Sequence, residues 1–462
     1  MNDYSFSSTP LKTQLKSSIQ ALGYMKMTPI QKLSLNHVLS NKDLIAQSET
    51  GSGKTVAFSL GILNKFDVKN KKTQAIILCP TRELSEQISK EIRRLGQFIA
   101  NLKVVSLCGG SPIKPQIFSL LHGAHIVVGT PGRVEDHLKR KTLDLKFIKT
   151  LVLDEADRML EMGFSEVLDN IISYTPQKRQ TLLFSATFPE NIKEVSQQYQ
   201  KNAESVKIEQ SQEKKKITQI FHRIEENKKK DYLSNFLNSH KPESTIVFCN
   251  TKKQTEDLAN WLKVKGFSAR PIHGDHEQKD RNETLVLCRN KSCSVLVATD
   301  VASRGVDIQS SSLVVNFECA KTAEVHVHRI GRTARAGRTG QALTLYTERE
   351  EHKIKAIEDL TQIKVKPQDL NKQSYKSETC QFSPPMVSFL IAAGKKNKLR
   401  PTDILGALTA DKDILFDDVG KIDIFDFYSF VAIRSKKENS AHHILTSKPI
   451  KGRFIKVKKV CI

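Results

Sequence analysis

The strongest restriction on the fold is an alternation of short apolar runs with amphipathic stretches between residues 43 and 187. Residues 83–99 form one such stretch, in which apolar side chains recur every three or four positions. Runs that are apolar at nearly every position are typical of strands buried on both faces. This region is therefore predicted to form a parallel sheet with helices on both sides. The predicted strands are Gln74–Cys79, Ala124–Val128, Thr150–Leu153 and Thr181–Ser185.

The same alternation restarts after a polar stretch at residues 209–217, which lacks apolar periodicity and is interpreted as a linker. Length and this repetition predict one α/β domain at residues 1–208 and a second at 218–370. A second polar stretch, 371–385, is interpreted as another linker. The predicted strands of the second domain include Thr245–Cys249, Ser294–Ala298 and Ser312–Asn316.

The last segment, residues 386–462, has a different pattern of elements. Its apolar runs and helical stretches follow one another in the order β-α-β-β-α-β, which predicts a small split α/β sandwich. The predicted strands are 387–392, 420–424, 427–433 and 453–457, and the predicted helices are 401–408 and 437–445. The whole chain is thus predicted to be α/β, with two parallel-sheet lobes and one small sandwich domain.

A glycine-rich segment, Ser48–Thr55, lies between an apolar run and a helical stretch. Glycines let backbone N–H groups approach phosphates closely, and the start of the following helix adds a favourable dipole. Lys54 is predicted to contact the β and γ phosphates, and Thr55 is predicted to bind Mg²⁺ through its hydroxyl. The segment therefore predicts a site for a nucleoside triphosphate and its Mg²⁺ ion.

Two adjacent carboxylates, Asp154 and Glu155, follow the predicted strand Thr150–Leu153. An isolated pair of this kind is usually a solvated turn, but here it follows a phosphate-binding loop within the same predicted sheet. Asp154 is predicted to hold the coordination shell of Mg²⁺. Glu155 is predicted to orient or deprotonate the attacking water.

These residues belong to a larger set of motifs that resembles DEAD-box ATP-dependent RNA helicases. The tetrad Asp154-Glu155-Ala156-Asp157 is similar to the family signature, and further motifs occur in the family's order between about residues 6 and 350. The resemblance implies two RecA-like lobes. The other matching motifs are Phe6 with Thr28–Gln31, Pro80–Leu84, Gly109-Gly110, Thr130–Arg133, Ser185–Thr187, Ile246–Thr251, His273–Asp275 with Gln278 and Arg281, Ala298–Asp307 and His328–Gly337.

The resemblance implies ATP as the nucleotide and assigns roles to residues of both lobes. Arg332 and Arg335 would be arginine fingers that the second lobe supplies to the γ-phosphate, so hydrolysis would require the two lobes to close. The segment Ser185, Ala186 and Thr187 would couple hydrolysis to strand separation. The implied ATP-binding residues are Phe6, Gln31, Ser48, Glu49, Thr50, Gly51, Ser52, Gly53, Lys54, Thr55 and Asp307.

The family also implies a path for single-stranded RNA across both lobes. Hydroxyls, backbone N–H groups and arginines that face phosphates hold a strand without reading its sequence. The resemblance therefore implies local opening of a duplex. The implied RNA contacts in the lobes are Pro80, Thr81, Arg82, Gly110, Thr130, Arg133, Gly274, Arg281 and Thr299.

The charge of the chain supports an anionic partner. Lys and Arg number 73 against 50 Asp and Glu, a net charge of +23. Residues 386–462 contain 15 of the Lys and Arg residues and only 8 of the Asp and Glu residues. Nucleic acid and an anionic membrane are the usual partners of such a surface, and the helicase motifs favour nucleic acid over a membrane.

The C-terminal segment contains four short motifs, Ala393–Pro401, Asp403–Thr409, Val419–Ile422 and Ile450–Gly452. With these motifs it resembles the RNA-binding domain of one bacterial branch of the DEAD-box family. That resemblance implies an RRM-like fold that binds a hairpin of 23S ribosomal RNA near the peptidyl-transferase centre. Tyr428 and Phe430 lie on one face of a predicted strand, where they could stack on bases or belong to the core. The absence of the usual RNP1 pattern favours the core. The basic candidates for RNA contact are Lys395, Lys396, Lys398, Arg400, Lys451 and Arg453.

The predicted function is an ATP-dependent RNA helicase that remodels 23S rRNA on pre-50S particles during assembly of the large ribosomal subunit. The alternative is an ATP-gated RNA clamp whose unwinding is not essential. A DNA helicase is disfavoured by the motif set. No secretory signal is found in Met1–Pro10, and the cysteines are scattered, so we expect a cytoplasmic protein with reduced thiols and no structural metal. Because the positive charge accompanies RNA-helicase motifs, we expect no membrane contact. The protein is also expected to be a monomer.

Overall fold

A computed structural model of the chain describes residues 4–48, 51–185, 187, 190–208, 217–300, 311–334, 339–366, 368–370, 379–380, 382–410 and 413–460. The chain divides into two compact units, residues 1–213 and 214–462. The first contains one seven-stranded sheet, and the second contains a seven-stranded and a four-stranded sheet. Among the described residues no helix combines the length and apolar character needed to span a bilayer.

The first unit is built on a parallel sheet in the order β3-β4-β2-β5-β6-β1-β7. Neighbouring residues of β2 pack on opposite faces of this sheet. Ile77 belongs to one buried cluster, and Ile76 and Leu78 belong to the other. The predicted covering of both faces is therefore confirmed. The strands are β1 Leu44–Gln47, β2 Ala75–Leu78, β3 Val104–Leu107, β4 Ile126–Gly129, β5 Thr150–Asp154, β6 Gln180–Ser185 and β7 Glu204–Lys207.

Nine helices are described in the first unit. The predicted amphipathic stretch 83–99 forms the helix Arg82–Leu95, which Thr81 caps by accepting a hydrogen bond of 3.3 Å from the Leu84 N–H. The helices are α1 Thr13–Ala21, α2 Pro29–Leu39, α3 Lys54–Lys65, α4 Arg82–Leu95, α5 Ile113–Leu121, α6 Pro131–Lys139, α7 Ala156–Glu161, α8 Ser165–Ser173 and α9 Glu190–Tyr199.

The second unit begins with another parallel sheet, in the order β10-β11-β9-β12-β13-β8-β14. Val247 faces one buried cluster, whereas Ile246 and Phe248 face another. The strands are β8 Ile217–Arg223, β9 Thr245–Cys249, β10 Ala269–Ile272, β11 Val295–Thr299, β12 Leu313–Asn316, β13 Gly340–Tyr346 and β14 Gln368–Asp369. The helices are α10 Lys229–His240, α11 Lys252–Val264, α12 Gln278–Arg289, α13 Ala323–Ile330 and α14 Glu351–Thr361.

The C-terminal sheet is antiparallel, with the order β16-β17-β15-β18 and two helices, α15 Pro401–Thr409 and α16 Glu438–Ser447. The predicted β-α-β-β-α-β order is confirmed. The predicted strand at 453–457 instead begins at Val457, because Ile450 and Arg453 pair across a tight turn. The strands are β15 Met386–Ile391, β16 Val419–Ile424, β17 Ser429–Arg434 and β18 Val457–Lys459.

One face of this C-terminal sheet contacts the end of helix α12. Asn290 donates a hydrogen bond of 2.7 Å to the Ser388 hydroxyl, and the Ser292 and Ser388 hydroxyls lie 2.7 Å apart. All three side chains are buried. Arg289 pairs with Asp423 at 2.6 Å beside them. The C-terminal domain is thus joined to the second lobe by a buried polar network.

The predicted linkers coincide in large part with residues outside the described part of the chain. Of residues 209–217, only Ile217 is described, and it begins β8. Of residues 371–385, positions 371–378 and 381 are outside the description.

Candidate nucleotide and nucleic-acid site

The phosphate-binding loop connects β1 to helix α3 in the first unit. Gly51 and Gly53 have φ values of 84° and 99°, which are left-handed conformations that favour glycine. Lys54 is buried, and its Nζ donates a hydrogen bond of 2.6 Å to the Ser48 carbonyl. The Ser48 and Ser52 hydroxyls lie 2.8 Å apart. The lysine therefore contacts the first residue of the loop that is predicted to hold the phosphates.

The amide of Gln31 links the adjacent helix α2 to this loop. Its Nε2 donates to the Gly53 carbonyl at 3.1 Å, and its Oε1 accepts from the Thr28 N–H at 2.8 Å. A Cβ at Gly53 would approach Gln31 Nε2 to 2.5 Å, so glycine is needed there for contact as well as for backbone conformation. Phe6 is buried in the adjacent core. Adenine recognition by Gln31 and Phe6 remains a prediction.

Asp154 ends the central strand β5 and is 3% exposed. The pKa of its carboxyl is raised to about 7, mainly by burial; the Lys54 charge lowers the pKa, and the neighbouring Glu155 raises it. A buried carboxylate of this kind is stabilised by a nearby cation. This arrangement fits the predicted Mg²⁺ ligand.

Glu155 adopts the left-handed conformation, with φ 52°, directly before helix α7. A non-glycine residue in this region is strained, and such strain is concentrated at functional sites. Glu155 is buried, and its N–H donates to Asp154 Oδ1 at 3.1 Å. The strain therefore supports its candidacy as a catalytic residue.

The predicted coupling segment lies at the end of β6, between the strands that carry the loop and the tetrad. The Ser48 N–H donates to the Ser185 carbonyl at 3.0 Å. Asp157 Oδ2 accepts from both the N–H and the hydroxyl of Thr187, at 3.0 and 2.8 Å. The Ser185 hydroxyl is buried and has no hydrogen-bond partner among the described residues.

The RNA candidates of the first lobe follow three adjacent strands, β2, β3 and β4, at their carboxyl ends. Arg82 lies against Gly110, where an added Cβ would approach the guanidinium to 1.9 Å. Arg133 donates to the Ser111 carbonyl at 3.0 Å. The structure thus brings together Thr81, Arg82, Gly110, Thr130 and Arg133, with Pro80 directly before Thr81.

In the second lobe, the sequence did not single out Arg329 as a site residue. It is 2% exposed and binds both carboxylate oxygens of Asp300, at 2.6 and 2.9 Å. It also donates to the Asn250 side chain at 2.8 Å and to the Glu318 carbonyl at 2.9 Å. Arg329 therefore fixes three motif segments relative to one another. Its place in the motif His328–Gly337 was the available signal.

The other second-lobe candidates occupy different positions. Thr299 ends β11, Gly274 lies in the loop after β10, and Arg281 lies on helix α12. Arg332 follows helix α13 and is 8% exposed. Five predicted residues lie outside the described part of the chain, and they are Glu49, Thr50, Ala186, Asp307 and Arg335.

The basic candidates of the C-terminal domain lie in two adjoining loops and are exposed. Lys451 connects the loops, because its Nζ donates to the Lys398 carbonyl at 2.6 Å and contacts Asp403 at 3.2 Å. This basic surface consists of Lys395, Lys396, Lys398, Arg400, Lys451 and Arg453.

The aromatic residues of strand β17 have a different environment. Phe430 is 1% exposed and packs edge-to-face against Phe425 and Tyr428. It lies on the same sheet face as Ser388 and Asp423, which contact the second lobe. The preference for a core role is therefore confirmed for Phe430.

Three family models match the chain in succession. A DEAD/DEAH box helicase model matches residues 28–195, a helicase conserved C-terminal domain model matches 228–337, and a DbpA RNA binding domain model matches 388–459. Together these matches cover β1 to β6 of the first sheet, β9 to β12 of the second and most of the small antiparallel sheet.

The chain is also similar to curated and solved proteins along most of its length. It is 45% identical to the ATP-dependent RNA helicase DbpA of Escherichia coli over 444 residues, 96% of each chain. It is 42% identical to the helicase CshA of Geobacillus kaustophilus, covering 78% of this chain and 77% of CshA. Saccharomyces cerevisiae Dbp5 bound to RNA and ADP BeF3 matches 79% of this chain and 96% of Dbp5, with a TM-score of 0.73 and 31% identity.

These matches agree with the loop, the tetrad and the coupling segment at the carboxyl edge of the first sheet. The matched C-terminal model agrees with the small sheet domain and its basic loops. The chain belongs to the DEAD-box ATP-dependent RNA helicases, in the branch that carries a DbpA RNA-binding domain.

Proposed function

We propose that this helicase hydrolyses ATP to open short helices of 23S rRNA during assembly of the 50S subunit. Its C-terminal domain would bind the target RNA. The observation that carries the proposal is the basic surface built from the loops 395–400 and 451–453, within the segment that matches the DbpA RNA-binding domain. Exposed lysine and arginine side chains on this domain would bind the RNA backbone independently of the motor lobes. Tethering of this kind raises the local concentration of RNA for those lobes.

The ATP site is proposed to use this chain's residues as follows. Thr55 and Asp154 would hold Mg²⁺, which neutralises charge on the phosphates when bound. Lys54 would leave the Ser48 carbonyl and contact the β and γ phosphates. Glu155 would orient the attacking water and accept its proton. Arg332 and Arg335 would contribute positive charge from the second lobe.

The RNA path is proposed to follow the carboxyl edge of strands β2, β3 and β4. Thr81 and Thr130 would offer hydroxyls, while Arg82 and Arg133 would offer guanidinium groups to successive phosphates. The bond between Asp157 and Thr187 would relate the occupancy of the ATP site to this path, because Asp157 lies at the start of the helix after β5 and Thr187 lies just after the neighbouring strand β6.

The proposed substrate is the hairpin near the peptidyl-transferase centre of 23S rRNA, on pre-50S particles in the cytoplasm. Its support is the resemblance of residues 386–462 to the targeting domain of the branch. The exposure of Lys395 and Lys396 is consistent with a contact to a folded RNA. Opening a few base pairs costs about 1.4 kcal/mol for each stacked step in duplex DNA, so a local opening is within reach of ATP binding.

Crosslinking of the full-length protein to RNA in cells, followed by sequencing of the bound RNA, tests the target. We expect a focused peak in 23S rRNA that Lys395→Gln with Lys396→Gln reduces. The matched control is Lys436→Gln with Lys437→Gln, which removes the same charge from another part of the same domain. Reads spread over messenger RNA, or equal loss of the peak in both variants, would contradict the proposal.

A further inference from the structure

A cluster of two histidines and one glutamate lies in the second lobe, outside the ATP site. Glu256 belongs to helix α11, whereas His273 and His276 lie in the loop after β10. The Nε2 atoms of His273 and His276 lie 2.8 and 2.7 Å from the same Glu256 oxygen. The two imidazole rings have centroids 3.9 Å apart. Three potential metal ligands from two separate segments therefore converge on one point.

We propose that Glu256, His273 and His276 form a binding site for Zn²⁺, with water as the fourth ligand. Imidazole and carboxylate are ordinary zinc ligands, and three protein ligands with one open position are a common zinc arrangement. The donor set disfavours Mg²⁺, which prefers oxygen ligands. Among the described residues no other group of three or more His, Cys, Asp or Glu brings its ligand atoms this close together.

The present distances require only a small adjustment for zinc. Nitrogen and oxygen atoms bound to one tetrahedral zinc ion lie roughly 3.3 Å apart, given bonds of about 2.0–2.1 Å. The hydrogen-bonded distances of 2.7 and 2.8 Å therefore have to lengthen by about half an ångström, which rotation of the Glu256 side chain can supply. The side chains of His276 and Glu256 are 22% and 37% exposed, so an ion and a water can enter.

The local charges are compatible with a cation. Burial raises the pKa of Glu256, but hydrogen bonds from His276 and His273 outweigh it, so the net pKa lies below its ordinary value and the carboxylate is ionised. Lys252 lies nearby but pairs with Asp275 at 2.5 Å. Zinc binding at His273 Nε2 requires the ring proton to move to Nδ1. Nδ1 now accepts only a long contact of 3.4 Å from the Asp275 N–H, so little is lost when this contact breaks.

Zinc at this position would fix the loop from His273 to His276, including Gly274 between them. The contact between the two rings and the turn in which the His276 N–H donates to the His273 carbonyl at 3.3 Å already hold the loop near the required shape. The site is thus partly organised before the ion binds, which favours binding.

The test is a zinc titration of the full-length protein against a chromophoric chelator in excess Mg²⁺. We expect one zinc ion per chain in the unmodified protein, with affinity reduced by about tenfold or more in His276→Gln and in Glu256→Gln. His352→Gln is the matched control, because His352 is an exposed histidine on helix α14 of the same lobe. Circular dichroism checks that each variant is folded.

X-ray absorption at the zinc edge supplies the second readout. The proposal predicts two imidazole nitrogens at about 2.0 Å and no sulfur ligand. Absence of binding, binding unchanged in both site variants, or a sulfur ligand would each overturn the proposal. A sulfur ligand would assign the ion to cysteines such as the buried pair Cys288 and Cys293.

Discussion

Thr187 donates hydrogen bonds from both its N–H and its hydroxyl to one carboxylate oxygen of Asp157, at 3.0 and 2.8 Å. Asp157 is the last residue of the tetrad that follows β5, and Thr187 is the last residue of the segment that follows β6. Charge-assisted bonds of this kind are stronger than neutral ones. The tetrad Asp154–Asp157 and the predicted coupling segment Ser185–Thr187 are therefore joined directly in the first lobe.

Replacing Thr187 by valine tests this connection. Valine keeps the shape of the side chain but removes the hydroxyl that donates a hydrogen bond to Asp157. We expect RNA-stimulated ATP hydrolysis to persist while strand separation falls by about tenfold or more, a coupling loss of about 1.4 kcal/mol. The measurements are ATP turnover and displacement of a labelled RNA strand.

Thr181→Val provides the matched control for that experiment. Thr181 lies on the same strand, β6, and its buried hydroxyl has no hydrogen-bond partner among the described residues. Its removal leaves no partner unsatisfied, so both activities should be unchanged. Equal loss of unwinding in the two variants would refute a specific role for the bond.

The raised pKa of Asp154 predicts a pH dependence of stability. Its folded-state pKa, about 7, lies above the ordinary value of 3.8, so the folded protein binds this proton more tightly than the unfolded chain. Asp154 therefore destabilises the fold increasingly as pH rises from about 4 to 7. Each tenfold difference in proton affinity between the folded and unfolded states corresponds to a loss of at most about 1.4 kcal/mol.

Asp154→Asn removes this ionisation while keeping a side chain of similar size. The difference in denaturation midpoint between the variant and the unmodified protein should grow in favour of the variant as pH rises over that range. Parallel midpoint curves would show that Asp154 does not titrate as described. The measurement is made without nucleotide and in the absence of Mg²⁺.

The buried contact between the second lobe and the C-terminal domain gives a third prediction. Ser388→Ala leaves the Asn290 amide without its 2.7 Å acceptor, which should destabilise the contact by about 1–3 kcal/mol. We expect the distance between spin labels on the second lobe and on the C-terminal domain to become broadly distributed.

Ser429→Ala is the control for this interface. Ser429 donates to the Ala393 carbonyl at 2.7 Å within the C-terminal domain, so its loss weakens that domain without altering the contact with the lobe. The label distance should then stay narrow. A narrow distance in Ser388→Ala as well would mean that the polar network does not hold the domains together.

Arg329 predicts a large effect on stability. Its guanidinium binds both oxygens of Asp300 and lies 5.1 Å from the centre of the Phe248 ring. Lysine keeps the positive charge but cannot reproduce the two parallel bonds, so Arg329→Lys should lower the free energy of unfolding by about 1–3 kcal/mol. Arg349→Lys, at an exposed position, should have little effect in the same denaturation experiment.

Features carried by contiguous sequence were predictable. The loop Ser48–Thr55 and the tetrad after Thr150–Leu153 each combine a strand, a turn and a helix within a few residues. Their order along the chain therefore specified their place at one edge of the sheet. The antiparallel C-terminal domain was predictable for the same reason, apart from the start of its last strand.

Features that depend on distant segments were not predictable. Arg329 binds Asp300, Asn250 and Glu318, which are brought together only by the order of strands β9, β11 and β12. The burial of Phe430 depends on which face of the C-terminal sheet is covered. The cluster of Glu256 with His273 and His276 likewise requires helix α11 to lie beside the loop after β10.

Specific targeting by the C-terminal domain is tested by measuring RNA-stimulated ATP hydrolysis of the full-length protein under single-turnover conditions. Two RNAs of equal length are compared, one containing the 23S rRNA hairpin and the other a scrambled sequence. We expect weak hydrolysis without RNA and much stronger stimulation by the hairpin than by the scrambled RNA. Equal stimulation by both RNAs would contradict specific targeting through the C-terminal domain.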